Sequence, residues 1–140
     1  MKKRIIISLV IIILVGSFLW IQHKPVYEKK GLLLDVLQIN KDEIETIRIA
    51  YKDRNILIKD TEEIEDIIPT IDIKVIFNKR HKKESDGWTW SVSITTKKQE
   101  FISFLLFDNY VRWRDKKWIY VYDIQQDINW EALHELFDIQ

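Results

Sequence analysis

Three histidines, a run of carboxylates and a few hydroxyls are the residues with catalytic or metal-binding potential in this chain. His81-Lys82-Lys83-Glu84 with Asp86 offers three ligands from one segment, but Lys79, Arg80, Lys82 and Lys83 surround them and repel a cation. His134 and Asp138 fall four residues apart, on one face of a helix, which makes two ligands where a tetrahedral site needs at least three protein ligands. His23 stands alone. There is no cysteine, which excludes disulfides, thiol nucleophiles and thiolate metal sites. Neither G-x-S-x-G nor H-E-x-x-H occurs. Glu62, Glu63, Glu65 and Asp66 cluster as the favourable acidic first turn of a helix rather than as an acid–base pair. Gly16, Gly31 and Gly87 are isolated, so no glycine-rich phosphate cradle exists. The expectation is a protein without cofactor or metal, and not an enzyme.

Two groups point to binding instead. Lys79, Arg80, Lys82 and Lys83, with His81 among them, form a basic stretch suited to contact with an anionic surface. Further on, Tyr110, Trp113, Trp118, Tyr120 and Tyr122 crowd one hairpin with Arg112 and Arg114. If Tyr120 and Tyr122 share the exposed face with the two arginines, Arg112, Arg114, Tyr120 and Tyr122 make an aromatic–cationic patch for a protein partner or a sugar.

These residues must be positioned by what surrounds them. The chain has 140 residues, one domain's worth, with 46% hydrophobic and 31% charged side chains. Its formal net charge of zero hides an asymmetry. Residues 1–27 carry Lys2, Lys3, Arg4 and Lys24 and no acid; residues 28–140 carry 18 basic and 22 acidic groups. A domain of net −4 does not read as a nucleic-acid binder.

Residues 5–21 are apolar except for Ser8, Gly16 and Ser17, behind the basic start Lys2-Lys3-Arg4. As a helix this stretch rises roughly 25 Å, at the short end of a membrane span. The basic flank favours a cytoplasmic N-terminus and an extracytoplasmic C-terminal domain. A cleaved signal peptide is the rival reading, but its apolar region normally runs about 7–15 residues. Residues 1–22 are thus expected to be a single-pass signal-anchor, 23–43 a linker and juxtamembrane segment, and 44–140 an extracytoplasmic domain.

Within that domain, alternation predicts strands over 44–51, 56–59, 71–77, 88–95, 101–107, 110–114 and 118–122. The apolar 101–107 stretch reads as central, and 88–122 as a four-strand meander. Residues 78–87 read as a loop. A short helix is expected behind the N-cap Thr61 and stopped by Pro69. A last helix over 128–137 would be capped by Asp127 or Asn129. The fold class is α+β: an N-terminal transmembrane helix, then an antiparallel sheet with both domain helices on one face.

The progression Ile44-x-x-Ile47-x-Ile49, a hairpin, Asp60-Thr61-Glu62-Glu63-Ile64-x-x-Ile67-Ile68, then Gly87-Trp88 opening a meander resembles small extracytoplasmic domains of low-GC Gram-positive bacteria. Those follow a lipoprotein signal or a single anchor; this chain lacks the lipoprotein cysteine. The resemblance implies location and fold, and no activity. The expected function is a non-catalytic module binding a protein or cell-envelope component. The alternatives are a regulatory or immunity-type accessory protein acting through its membrane segment, and a small envelope hydrolase.

Overall fold

A computed structural model describes residues 2–22, 30–81 and 89–138. It is α+β, with one antiparallel sheet in the order β1-β4-β8-β7-β6-β5-β2-β3. The strands are β1 (Lys30–Leu32), β2 (Ile44–Tyr51), β3 (Arg54–Ile58), β4 (Lys74–His81), β5 (Trp90–Thr96), β6 (Phe101–Leu106), β7 (Tyr110–Arg114) and β8 (Ile119–Ile124). The helices are α1 (Lys2–Gln22), α2 (Leu33–Val36), α3 (Thr61–Ile71) and α4 (Trp130–Asp138). Strands β5 to β8 are consecutive neighbours, so the meander is present, and β6 lies inside the sheet.

The register shows why the sheet has two unlike faces. Ile47 and Ile49 on β2 sit opposite Ile94 and Val92 on β5, and Val92 opposite Phe104 on β6. All five are essentially inaccessible. Helices cover this side. Ile64, Ile67 and Ile71 of α3 are buried, as are Leu133 and Phe137 of α4. The intervening residues, Arg48, Ser91, Ser93, Thr95 and Ser103, point the other way and form an outer face without helices among the described residues. An antiparallel sheet tolerates this because only one face must be apolar.

Several expectations need correction. The N-cap of α3 is Asp60, not Thr61: its Oδ1 accepts from the Glu62 and Glu63 amides at 3.0 and 3.2 Å. Pro69 does not stop α3, which runs through it to Ile71. Ile71 is fully buried, so packing holds the last turn despite the missing amide donor. Strand β4 extends to His81 rather than ending at Phe77. Of the two cap candidates for α4, Asn129 serves: its Oδ1 accepts from the Ala132 amide at 3.1 Å.

The segment expected to be a linker up to residue 43 belongs in large part to the domain. Strand β1 adds to the sheet edge beside β4. Leu33, Leu34, Val36, Leu37 and Ile39 enter the core. Asp72 anchors this segment: its Oδ1 accepts from the Leu34 amide at 2.8 Å, and its Oδ2 meets Lys41 Nζ at 2.6 Å. That hydrogen bond is the main reason the Lys41 amine is raised above its ordinary value, with burial opposing it.

Helix α1 stands apart in character. Its Ile5, Leu9, Ile12, Leu14 and Phe18 are 58–69% exposed. Among the described residues no helix is long and apolar enough to cross a membrane; the side chains of α1 are described as far as Phe18.

Candidate functional site

The outer face of the sheet carries no helix among the described residues, though Ile119 and Val121 on it are buried, and its composition follows from the register. One row across it runs Lys79, Val121, Arg112, Leu105, Ser91, Ala50 and Asn55. The neighbouring row holds Arg114 beside Ile119, and Ser103, Ser93, Arg48 and Leu57 beyond them. Arg48 Nη1 donates to the neutral Asn55 Oδ1 at 3.0 Å. Ser93 and Ser103 share a hydrogen bond at 3.0 Å. The Arg112 guanidinium lies over the Phe107 ring at 5.4 Å, and Phe107 stacks on Tyr110 at 4.2 Å.

Two shallow hollows open on this face, both bordered by Arg112. The larger, about 640 Å³, lies among Phe101, Ser103, Leu105, Arg112, Arg114 and Lys116. The other, about 450 Å³, lies among Asn78, Lys79, Tyr110, Arg112 and Asp123. Asp123 accepts from the Asn78 amide at 2.9 and 3.1 Å. The arrangement offers guanidinium groups, hydroxyls and apolar surface, which suit recognition. No group of three or more potential metal ligands occurs among the described residues.

The residues singled out from sequence land differently. Arg112 and Arg114 share the outer face as expected. Tyr120 and Tyr122 do not join them. Tyr120 pairs with Trp113 and Tyr122 with Val111, on the opposite, core-facing side, and both tyrosines are completely buried. The four residues therefore do not form one surface patch. The Tyr120 hydroxyl is satisfied inside, donating to Asp115 Oδ2 at 2.9 Å, and its ring stacks on Trp113 at 5.2 Å. Asp115 also accepts from the Lys117 and Trp118 amides, both at 2.7 Å. Burial pushes its carboxyl up, but these three donors and the Lys117 charge together hold it below the usual carboxylate value. The true outer-face neighbours of the arginines on β8 are Ile119 and Val121.

Lys79 is exposed on β4, on the same face as Arg112. Arg80 belongs to β4, opposite Tyr120, and its side chain lies outside the described residues, as do Lys82 and Lys83. Phe101 is a surface residue that sequence reasoning missed. It is 68% exposed, opposite Thr95 on the outer face. The alternation of Phe101, Ser103 and Leu105 against Ile102, Phe104 and Leu106 carried that signal.

On the covered side, Trp90 gathers Tyr51, His134, Phe137 and Trp130 at ring distances of 4.3, 5.0, 5.6 and 6.3 Å. This cluster fixes α4 to the sheet and uses His134 as a packing residue beside Tyr51 and Trp90. The exposed surfaces of α3 and α4 carry Glu62, Glu63, Glu65, Asp66, Glu131, Glu135 and Asp138, with neither lysine nor arginine.

No family model matches the chain, and none of the curated proteins or solved structures compared with it is detectably similar.

Proposed function

We propose that this chain is a membrane-tethered, non-catalytic interaction module. In this reading α1 is the anchor, the domain stands on the extracytoplasmic side, and the outer face of the sheet receives a protein or envelope component. The observation that carries the reading is the two-sidedness of the sheet. Helices α3 and α4 pack on one face, while the other presents Arg48, Arg112, Arg114 and Phe101 without a helical layer among the described residues.

The anchor assignment draws on α1 and on the sequence. Of the 21 residues of α1, the apolar stretch 5–21 rises roughly 25 Å, at the short end of what a hydrocarbon core of ~30 Å needs. Beyond Phe18, the sequence continues the apolar run with Leu19, Trp20 and Ile21. Ser8 Oγ donates back to the Arg4 carbonyl at 3.0 Å, so its polar group is satisfied within the helix. Lys2, Lys3 and Arg4 suit the cytoplasmic end. Tethering would raise the domain's effective concentration toward partners at the same surface.

The test combines topology with function. A C-terminally tagged full-length chain should fractionate with membranes at its full mass, and protease added outside intact cells should remove the tag. A protected tag or a shortened, released product refutes the reading. Replacing residues 5–21 with an unrelated apolar span of equal length should leave function intact. Loss of function in that swap supports the accessory protein that acts through its membrane segment.

A further inference from the structure

We infer that the occupant of the outer sheet face is an anionic lipid surface, against which the tethered domain lies flat. The inference takes the tether from the proposed function and adds the partner. Three observations carry it.

The first is the placement of exposed apolar side chains. Outside α1, the large hydrophobics that stand exposed among the described residues are Leu57, Ile76 and Phe101, at 39, 39 and 68%. They sit on three different strands, opposite Arg48, Asp123 and Thr95, so all three point to the outer face.

The second is charge. The cations Arg48, Lys79, Arg112 and Arg114 lie on that same face, with Asp123 as the carboxylate among them. The helical layer behind it holds seven carboxylates and no lysine or arginine. Apolar side chains among cations match the headgroup region of an anionic bilayer, where each cation near the surface contributes about 1 kcal/mol.

The third is reach. Seven residues, 23–29, separate α1 from β1. Fully extended, they span at most about 25 Å. The domain is thereby confined next to the bilayer, and β1, at the sheet edge, is the strand nearest the tether.

Lack of cysteine permits single-site labelling. The full-length chain, carrying a fluorophore at Thr95→Cys beside Phe101, would be reconstituted into phosphatidylcholine vesicles, with or without phosphatidylglycerol. Lipids with headgroup nitroxides serve as quenchers. Leu57→Cys is a second outer-face reporter and Glu65→Cys, on α3, the control.

Quenching at 95 and 57 but not at 65, only with phosphatidylglycerol and reversed by high salt, is the expected result. Glutamine at Arg48 and Lys79 together should weaken docking roughly thirtyfold, two cations at about 1 kcal/mol each. Equal quenching at 65, or no dependence on phosphatidylglycerol, overturns the inference. So does shielding of position 95 by soluble polyglycerol phosphate when vesicles leave it open, which would assign the face to a polymer. The two readings fail separately. A chain that does not float with phosphatidylcholine vesicles refutes the tether, while quenching with phosphatidylglycerol still reports docking.

Discussion

Replacing Asp72 tests how the N-terminal segment is bound to the domain. The carboxylate side chain is 2% exposed and its partner Lys41 is 41% exposed. Asp72→Ala removes the acceptor for the buried Leu34 amide. A hydrogen bond to a charged acceptor contributes about 1.5–3 kcal/mol, and an orphaned buried amide costs about 1–3 kcal/mol. Both figures describe the same lost bond, so the expected loss is about 2–3 kcal/mol, a large fraction of the ~5–15 kcal/mol that holds a domain together. Lys41→Ala should cost no more than about 1 kcal/mol, because water reaches the vacated side of a half-exposed pair. Asp72→Asn should fall between, since its Oδ1 still accepts from Leu34 while the ion pair is gone. Urea unfolding of the full chain in detergent, followed by tryptophan fluorescence, reads these as midpoint shifts at constant slope. Two results would refute the reasoning: Asp72→Ala within about 0.5 kcal/mol of the parent, or Lys41→Ala as costly as Asp72→Ala. The pH dependence has a definite sign. Lys41 is raised above 10.5 in the fold, so its contribution is complete below 10.5 and is lost as pH climbs through the raised value.

Asp115→Ala should cost about 1–3 kcal/mol at neutral pH, since two amides and the Tyr120 hydroxyl lose their acceptor. Its carboxyl is depressed, so the contribution is full above 3.8 and vanishes as pH falls through the depressed value; acid titration of both proteins should show the gap closing. Trp90→Ala should cost about 3–5 kcal/mol in the same urea assay, because it removes the ring to which α4 is fixed. Phe101→Ser, by contrast, should stay within about 0.5 kcal/mol of the parent, which separates a surface residue from a core one. Pro69→Ala should raise the melting temperature by restoring an amide donor in the last turn of α3, with a gain of about 1 kcal/mol.

Much of the fold could be read from periodicity. Strands β2 and β7 begin and end where the alternation does, and the meander follows from short polar connections. What escaped has physical reasons. Strand β1 is Lys30-Gly31-Leu32, too short to have a period, and its pairing with β4 is a long-range event. Pro69 carries a strong local signal, but burial of Ile71 outweighs it. Strand β8 is buried on both sides from Ile119 to Tyr122, so alternation there could not tell core from surface. Alternation alone therefore puts the tyrosines beside the arginines, on the wrong face. That Arg112 and Arg114 share a face is legible, because a two-residue period needs no tertiary knowledge. Which residues of the next strand flank them depends on register, and the β7–β8 register is set by the Asp115 turn.

The same logic shows why net charge says little about what such a domain binds. Residues 28–140 sum to −4, a value that suggests indifference to anions. The sum averages over two layers of opposite character. A sheet and the layer packed on it lie about 10 Å apart, while charges are screened over ~8 Å at physiological ionic strength. A partner touching the outer face therefore meets Arg48, Lys79, Arg112, Arg114 and Asp123 directly, and the carboxylates of α3 and α4 only after screening. For a freely diffusing domain, that contrast would orient transient encounters. For a domain held within the proposed tether it would set a resting orientation, with the outer face toward the bilayer and the acidic helices away from it. In that arrangement the helical layer would serve two ends with one set of residues: its apolar stripe builds the core, and its acidic stripe would keep the helical face off the membrane.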